Sequence, residues 1–191
     1  MNNLGLDIIG RKAYIKYLDL AILFYCDCTE WGCDGFYVSR KQILMWHRDI
    51  NDIYQAALEN TYCKGNTLVT PILNFFPEEL VYIAQNGMNI MMKEKEMIVL
   101  TNQSLSFGAA MLLNMPELKK LADQFGSNLY LLPSSVHEII ALRSDQNTDV
   151  SYLTEMVNGV NNDVLEPGEY LSDHVYYFDR EKCEVTIAIP A

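Results

Sequence analysis

The chain has 191 residues, half of them apolar and a fifth charged, which is enough for one good-sized core and excludes a disordered or fibrous chain. Its 14 Lys and Arg against 25 Asp and Glu leave a net charge of -11, which speaks against a general nucleic-acid binder or a protein drawn to anionic membranes. No stretch approaches the roughly 20 uninterrupted apolar residues of a membrane span; Leu18 to Cys26 carries Asp19 and is far too short.

Met1 to Gly10 has neither a basic region before a long apolar run nor a small-residue cleavage site, so no secretory signal is read there and a cytoplasmic protein is expected. No Gly/Ser or Pro-rich linker divides the sequence and no solenoid-like repeat shows. Residues 1–191 therefore read as one domain, with residues 1–16 as a peripheral segment.

Ala13 to Tyr25 is apolar nearly throughout after Lys16 and reads as a helix running into a strand. Leu20–Cys26 and Gly35–Ser39, separated by Gly32 and Asp34-Gly35, are spaced to pair as a hairpin. Ser39 then has the character of an N-cap for a short helix over Arg40–Trp46. Asp49 or Asn51 would cap a second helix through Ile53, Ala56, Ala57 and Leu58. After Lys64-Gly65-Asn66 the stretch to Phe76 reads as irregular. Pro77-Glu78-Glu79 reads as the start of a helix closed or interrupted by Gly87.

Met97–Thr101 and Ala109–Leu113 are expected as strands, Pro116–Phe125 as an amphipathic helix ended by Gly126, and Leu129–Leu132 as a strand. Thr148–Val160 places Val150, Leu153, Met156, Val157 and Val160 on one helical side. His174–Phe178 and Glu184–Ile189 flank Asp179-Arg180-Glu181-Lys182, a polar tetrapeptide of hairpin-loop length. Helices and strands mix without a regular strand-helix repeat, so the fold class expected is α+β with a mixed or mainly antiparallel sheet.

Three groups of residues carry chemical interest. Cys26, Cys28 and Cys33, with Cys63 farther on, supply thiolates that zinc favours, but paired Cys-x2-Cys knuckles are missing and ordinary thiols are the preferred reading. With Cys183 the cysteine count is odd, which fits reduced thiols better than an exported disulfide framework.

Ser134, Ser135, His137 and Glu138 bring together a hydroxyl, an imidazole and a carboxylate, the raw material of a hydrolase's nucleophilic site. Adjacency in sequence does not assemble a triad, and no Gly-x-Ser-x-Gly elbow surrounds either serine. A turn or helix start after Pro133, with a serine cap and Glu138 near the N-terminus, accounts for the same residues. No phosphate loop, dinucleotide fingerprint or His-Glu-x-x-His motif is present, so no cofactor is expected.

The third group is anionic. Met1–Leu100 holds nine basic and twelve acidic residues, whereas Thr101–Ala191 holds five and thirteen. From Ser144 to Asp179 there are eight acids and no Lys or Arg. Asp163, Glu166, Glu169 and Asp173 are the residues expected to meet a protein partner with a basic surface, with no direct nucleic-acid binding.

The segments Leu18-Asp19-Leu20-Ala21-Ile22, Met97–Asn102, Gly108-Ala109-Ala110, Gly126–Glu138 and Leu171–Tyr176 resemble a family of uncharacterised proteins from anaerobic gut bacteria. Leu-Pro-Ser-Ser-x-His-Glu is the most specific part. The resemblance runs from about Tyr17 to Ile187 and fits the C-terminal portion of typically longer members. It implies a shared fold and carries over no catalytic residues. Such genes occur among mobile elements and prophages, which implies, by analogy, an inhibitor of a host nuclease or CRISPR effector. The function expected is therefore non-enzymatic binding of a macromolecule, with a Ser/His hydrolase or a host housekeeping interaction module as alternatives.

Overall fold

A computed structural model describes residues 1–3, 10–62, 66–75, 97–145, 148–163, 165–166 and 168–190. Within the stretch read from sequence as one domain, packing marks off two compact units, Met1–Lys64 and Gly65–Ala191.

The first unit opens with β1 (Asn2–Asn3), β2 (Tyr14–Tyr17) and β3 (Leu20–Leu23), an antiparallel sheet in the order β1-β3-β2. The helix expected to run into a strand after Ala13 is instead a hairpin, with Tyr17 paired to Leu20 and Leu18 in the left-handed region at φ 55°. Leucine is no turn former, so the tight turn between β2 and β3 leaves no local signal. In the described part of residues 1–16, Met1 and Ala13 are buried, and β1 and most of β2 flank the central strand.

β4 (Tyr25–Cys26) and β5 (Phe36–Tyr37) make the expected hairpin pairing in shortened form, because Leu20–Leu23 belongs to the other sheet. Ser39 caps the helix Arg40–Met45 as expected, in a reciprocal box with Gln42: the Ser39 hydroxyl accepts from the Gln42 amide, and the Gln42 side chain accepts from the Ser39 amide. Asp49 Oδ1 accepts from the Asn51 amide at 2.7 Å and begins the helix Ile50–Tyr62.

The second unit is built on six strands, β6 (Thr67–Pro71), β7 (Ile98–Asn102), β8 (Leu129–Leu132), β9 (Ile139–Arg143), β10 (Tyr176–Asp179) and β11 (Glu184–Ile187). Their order is β11-β10-β8-β9-β7-β6 and every neighbouring pair is antiparallel. The α+β class and antiparallel sheet expected from sequence are present.

Thr67–Pro71, read as irregular, is an edge strand, a position that tolerates proline because one side needs no ladder partner. Ala109–Leu113, read as a strand, lies in the 3-10 helix Gly108–Leu113; its apolar residues are buried on several sides, so no period distinguishes the two states. The expected helix from Pro77 with Gly87 lies outside the described residues.

Helix Met115–Phe125 follows the sequence signals closely. Asn114 Oδ1 accepts from the Glu117 amide at 3.2 Å, Pro116 sits in the first turn and Gly126 ends the helix at φ 66°. Helix Val150–Asp163 places Leu153 and Val157 against Val99, Leu132 and Leu142 on one sheet face. Pairing register puts Leu129, Leu131, Ile139, Tyr176 and Phe178 on the opposite face, where all five are fully buried. Burial on both faces explains why these strands read as unbroken apolar runs rather than alternating ones.

Candidate functional site

β7 and β8 run parallel to each other because each is antiparallel to β9, and β10 is antiparallel to β8. The C-terminal ends of β7 and β8 and the N-terminal ends of β9 and β10 therefore lie at one end of the sheet. The segments 103–108, 133–138 and 168–175 meet there.

Each is fixed by named bonds. Asn102, buried at the end of β7, donates from Nδ2 to the Ser106 carbonyl at 2.7 Å, and its Oδ1 accepts from the Ser104 hydroxyl and Ser106 amide. This shapes a loop in which Leu105 and Phe107 both take positive φ, at 52° and 56°. The Phe107 amide donates to His137 Nδ1 at 3.2 Å, and the two rings lie with centroids 5.9 Å apart. Thr101 Oγ1 donates to the His137 carbonyl at 2.7 Å, and Ala109 N donates to the Val136 carbonyl at 3.2 Å. A side chain at Gly108 would collide with Thr101 Oγ1 and the His137 carbonyl, so glycine permits this approach.

The Ser134–Glu138 run is a turn leading into β9, not a helix start. The Ser135 hydroxyl donates to Glu138 Oε1 at 2.9 Å and accepts from the His137 amide at 2.8 Å. Both Ser135 and Glu138 are buried. Burial pushes the Glu138 carboxyl above the usual carboxylate range, against hydrogen bonds from Ser135 and Ser134 that pull it down.

His137 turns away from the serines. Its Nδ1 is an acceptor for Phe107, and its Nε2 lies 4.0 Å from Glu169 Oε1, an ion pair only when the ring is protonated. Neither ring nitrogen bonds a serine hydroxyl, so the nucleophile–base hydrogen bond of a serine hydrolase is not formed. The arrangement ties three loops together; chemically it is a clamp with one buried acid.

Of the acids expected to meet a partner, Glu169 and Glu166 reach the same place. Val136 N donates to the Glu169 carbonyl at 2.8 Å, and Glu169 Oε2 accepts from the Glu166 amide at 3.1 Å. Glu169 thus belongs both to the clamp and to the acidic segment. Asn161 Nδ2 donates to the Ser172 carbonyl at 3.0 Å and to Asp173 Oδ1 at 2.8 Å, tying the end of helix Val150–Asp163 to the segment that leads into β10. Asp163, Glu166 and Asp173 are exposed, as are Asp149 and Glu155 on the same stretch. Among the described residues no Lys or Arg forms an ion pair with any of these five.

Ser172 and His174 share one contact with Ser135 and His137 and add another, since the Ser172 hydroxyl lies 3.4 Å from His174 Nδ1, a serine–imidazole contact that His137 does not make. The His174 amide donates to Ser172 Oγ at 3.0 Å, as the His137 amide does to Ser135. The sequence reading singled out the first Ser-x-His and passed over the second, whose only signal is the spacing itself. It gave no role to Thr101, Phe107 or Gly108, which are distant in sequence from the residues they hold, although Thr101 and Gly108 lie in segments that carry the resemblance.

Cys26, Cys28 and Cys33 lie together in the first unit, with Cys26 and Cys28 half-buried and Cys33 exposed. Among the described residues no three His, Cys, Asp or Glu side chains converge as metal ligands. No described helix is long and apolar enough to cross a membrane.

Residues 6–180 match a family described as a family of unknown function, DUF5688, and the chain belongs to that family. No curated protein and no solved structure matches the chain.

Proposed function

We propose that this member of the family acts by binding a protein with a basic surface, through the anionic stretch that runs from Asp149 to Asp173. The observation that carries this reading is the exposure of Asp149, Glu155, Asp163, Glu166 and Asp173 in a segment with no Lys or Arg of its own. A field of one sign steers an oppositely charged partner and sets its orientation more than it sets raw affinity. Nucleic-acid enzymes present such basic surfaces. A host nuclease or CRISPR effector is thus the partner class toward which the sequence resemblance leans.

Glu169 is a poor target for testing this, because its carboxylate holds the Glu166 amide and faces His137. The informative variant is Glu155→Gln with Asp163→Asn and Glu166→Gln, all exposed. Immobilised chain is offered a panel of purified basic nucleic-acid enzymes, an RNA-guided nuclease among them, and acidic proteins of similar size. The expected result is capture of a basic member, weakened about tenfold or more between low and moderate salt and lost with the triple variant. Capture of none, or equal capture by the variant, overturns the reading.

A further inference from the structure

The segment Cys26–Cys33 is wound into a specific turn. Asp27 Oδ1 accepts from the Thr29 amide at 2.9 Å and from the Thr29 hydroxyl at 2.8 Å, which starts the single 3-10 turn Thr29–Trp31. Gly32, at φ 69°, ends it, and two bonds cross the end: Gly32 N to the Thr29 carbonyl at 3.0 Å and Cys33 N to the Cys28 carbonyl at 3.3 Å. This nested pair, six-to-one around five-to-two with a left-handed glycine between, is the Schellman arrangement. It characteristically brings the side chains of its first and sixth residues into contact. Here those residues are Cys28 and Cys33.

We propose that Cys28 and Cys33 are a thiol–disulfide exchange site that forms a reversible disulfide with low-molecular-weight disulfides. The 3.3 Å bond from Cys33 N to the Cys28 carbonyl brings the backbones of the two residues together, and the proposed disulfide takes its proximity from that bond. Neither thiol is committed elsewhere by more than a weak contact: Cys33 Sγ donates to the Trp31 carbonyl at 3.7 Å and Cys28 Sγ to the Cys26 carbonyl at 3.8 Å. A rotation about χ1 of each frees the sulfur.

The steps balance. The exposed Cys33, as thiolate, attacks one sulfur of the small disulfide, forms a mixed disulfide and releases one small thiol. Cys28, as thiolate, then attacks the Cys33 sulfur and releases the second. The protein loses two hydrogens and the small disulfide gains them. Burial, then the neighbouring Cys26 and Cys33 sulfurs, hold the Cys28 thiol above the ordinary cysteine range, so the second step quickens as pH rises. Closure locks the loop that displays Trp31, whose side chain is 73% exposed.

The test uses the full chain with Cys26→Ser, Cys63→Ser and Cys183→Ser, equilibrated with reduced and oxidised glutathione. Alkylation and mass measurement then read the oxidised fraction. A pair preorganised by the turn shows an effective thiol concentration at least about tenfold higher in the folded chain than in urea. Gly32→Val, which forces a β-branched residue into the left-handed region, moves the folded value toward the unfolded one. Equal values in the folded and unfolded chain overturn the proposal. In the unsubstituted chain, peptide mapping gives Cys28 linked to Cys33 as the main product. A main product containing Cys26 overturns the proposal as well, and that result does not depend on how the variants fold.

Discussion

The amide of Phe107 donates to Nδ1 of His137 across thirty positions of sequence, and the bond joins a loop with two left-handed residues to the turn before β9. Left-handed backbone at leucine and phenylalanine is unfavourable on its own and persists where surrounding contacts over-determine it. His137 supplies one of those contacts from its ring, and its carbonyl accepts from Thr101 on β7, which fixes the turn itself to the sheet.

His137→Ala should therefore cost about 1 kcal/mol in urea denaturation, since it removes the acceptor for the Phe107 amide while water reaches part of the site. His137→Asn, whose side-chain oxygen offers an acceptor near the Nδ1 position, should recover part of the loss. Equal loss in both variants would show that ring packing, not the hydrogen bond, sets the cost.

Glu138 makes the stability pH-dependent in an unusual direction for a carboxylate. Burial raises its folded value above the ordinary 4.5, so the folded chain holds the proton more tightly than the unfolded chain. Its contribution is fully present below 4.5 and is lost as pH rises through the folded value. Glu138→Gln keeps an acceptor for Ser135 without the ionisation. The stability of the native chain should fall relative to this variant as pH rises from 4.5, by at most about 1.4 kcal/mol per pH unit. A difference independent of pH would mean that Glu138 titrates alike in both states.

Gly108 sits where a Cβ would strike Thr101 Oγ1 and the His137 carbonyl. Gly108→Ala should destabilise the second unit by about 1–3 kcal/mol through overpacking, seen as a lower urea midpoint. Gly168, at the same end of the sheet, has nothing within 4 Å of a built Cβ. Gly168→Ala should stay within about 0.5 kcal/mol of the native chain, which separates crowding from a general effect of adding methyl groups.

Elements that carry their own boundary chemistry were readable from sequence. Ser39 caps one helix, Pro116 and Gly126 bracket another, and Asp179 accepts from the Glu181 and Lys182 amides to start the last hairpin. All of these interactions span four residues or fewer, or fall at a helix end. The misread stretches depend on distant partners. Thr67–Pro71 is a strand because β7 pairs with it, and the β2–β3 turn puts Leu18 in a conformation that residue does not favour alone.

The site divides along the same line. Sequence identified Ser134, Ser135, His137 and Glu138 and the acid-rich stretch from Ser144 to Asp179 as separate groups, because residue type and charge are written locally. That the two groups meet through Glu169 and that His137 serves Phe107 rather than a serine came only with the tertiary structure. Composition and local capping determine charge, class and the ends of many elements. Which polar atoms face one another depends on sheet register and loop closure, and these join positions whose separation no local period records.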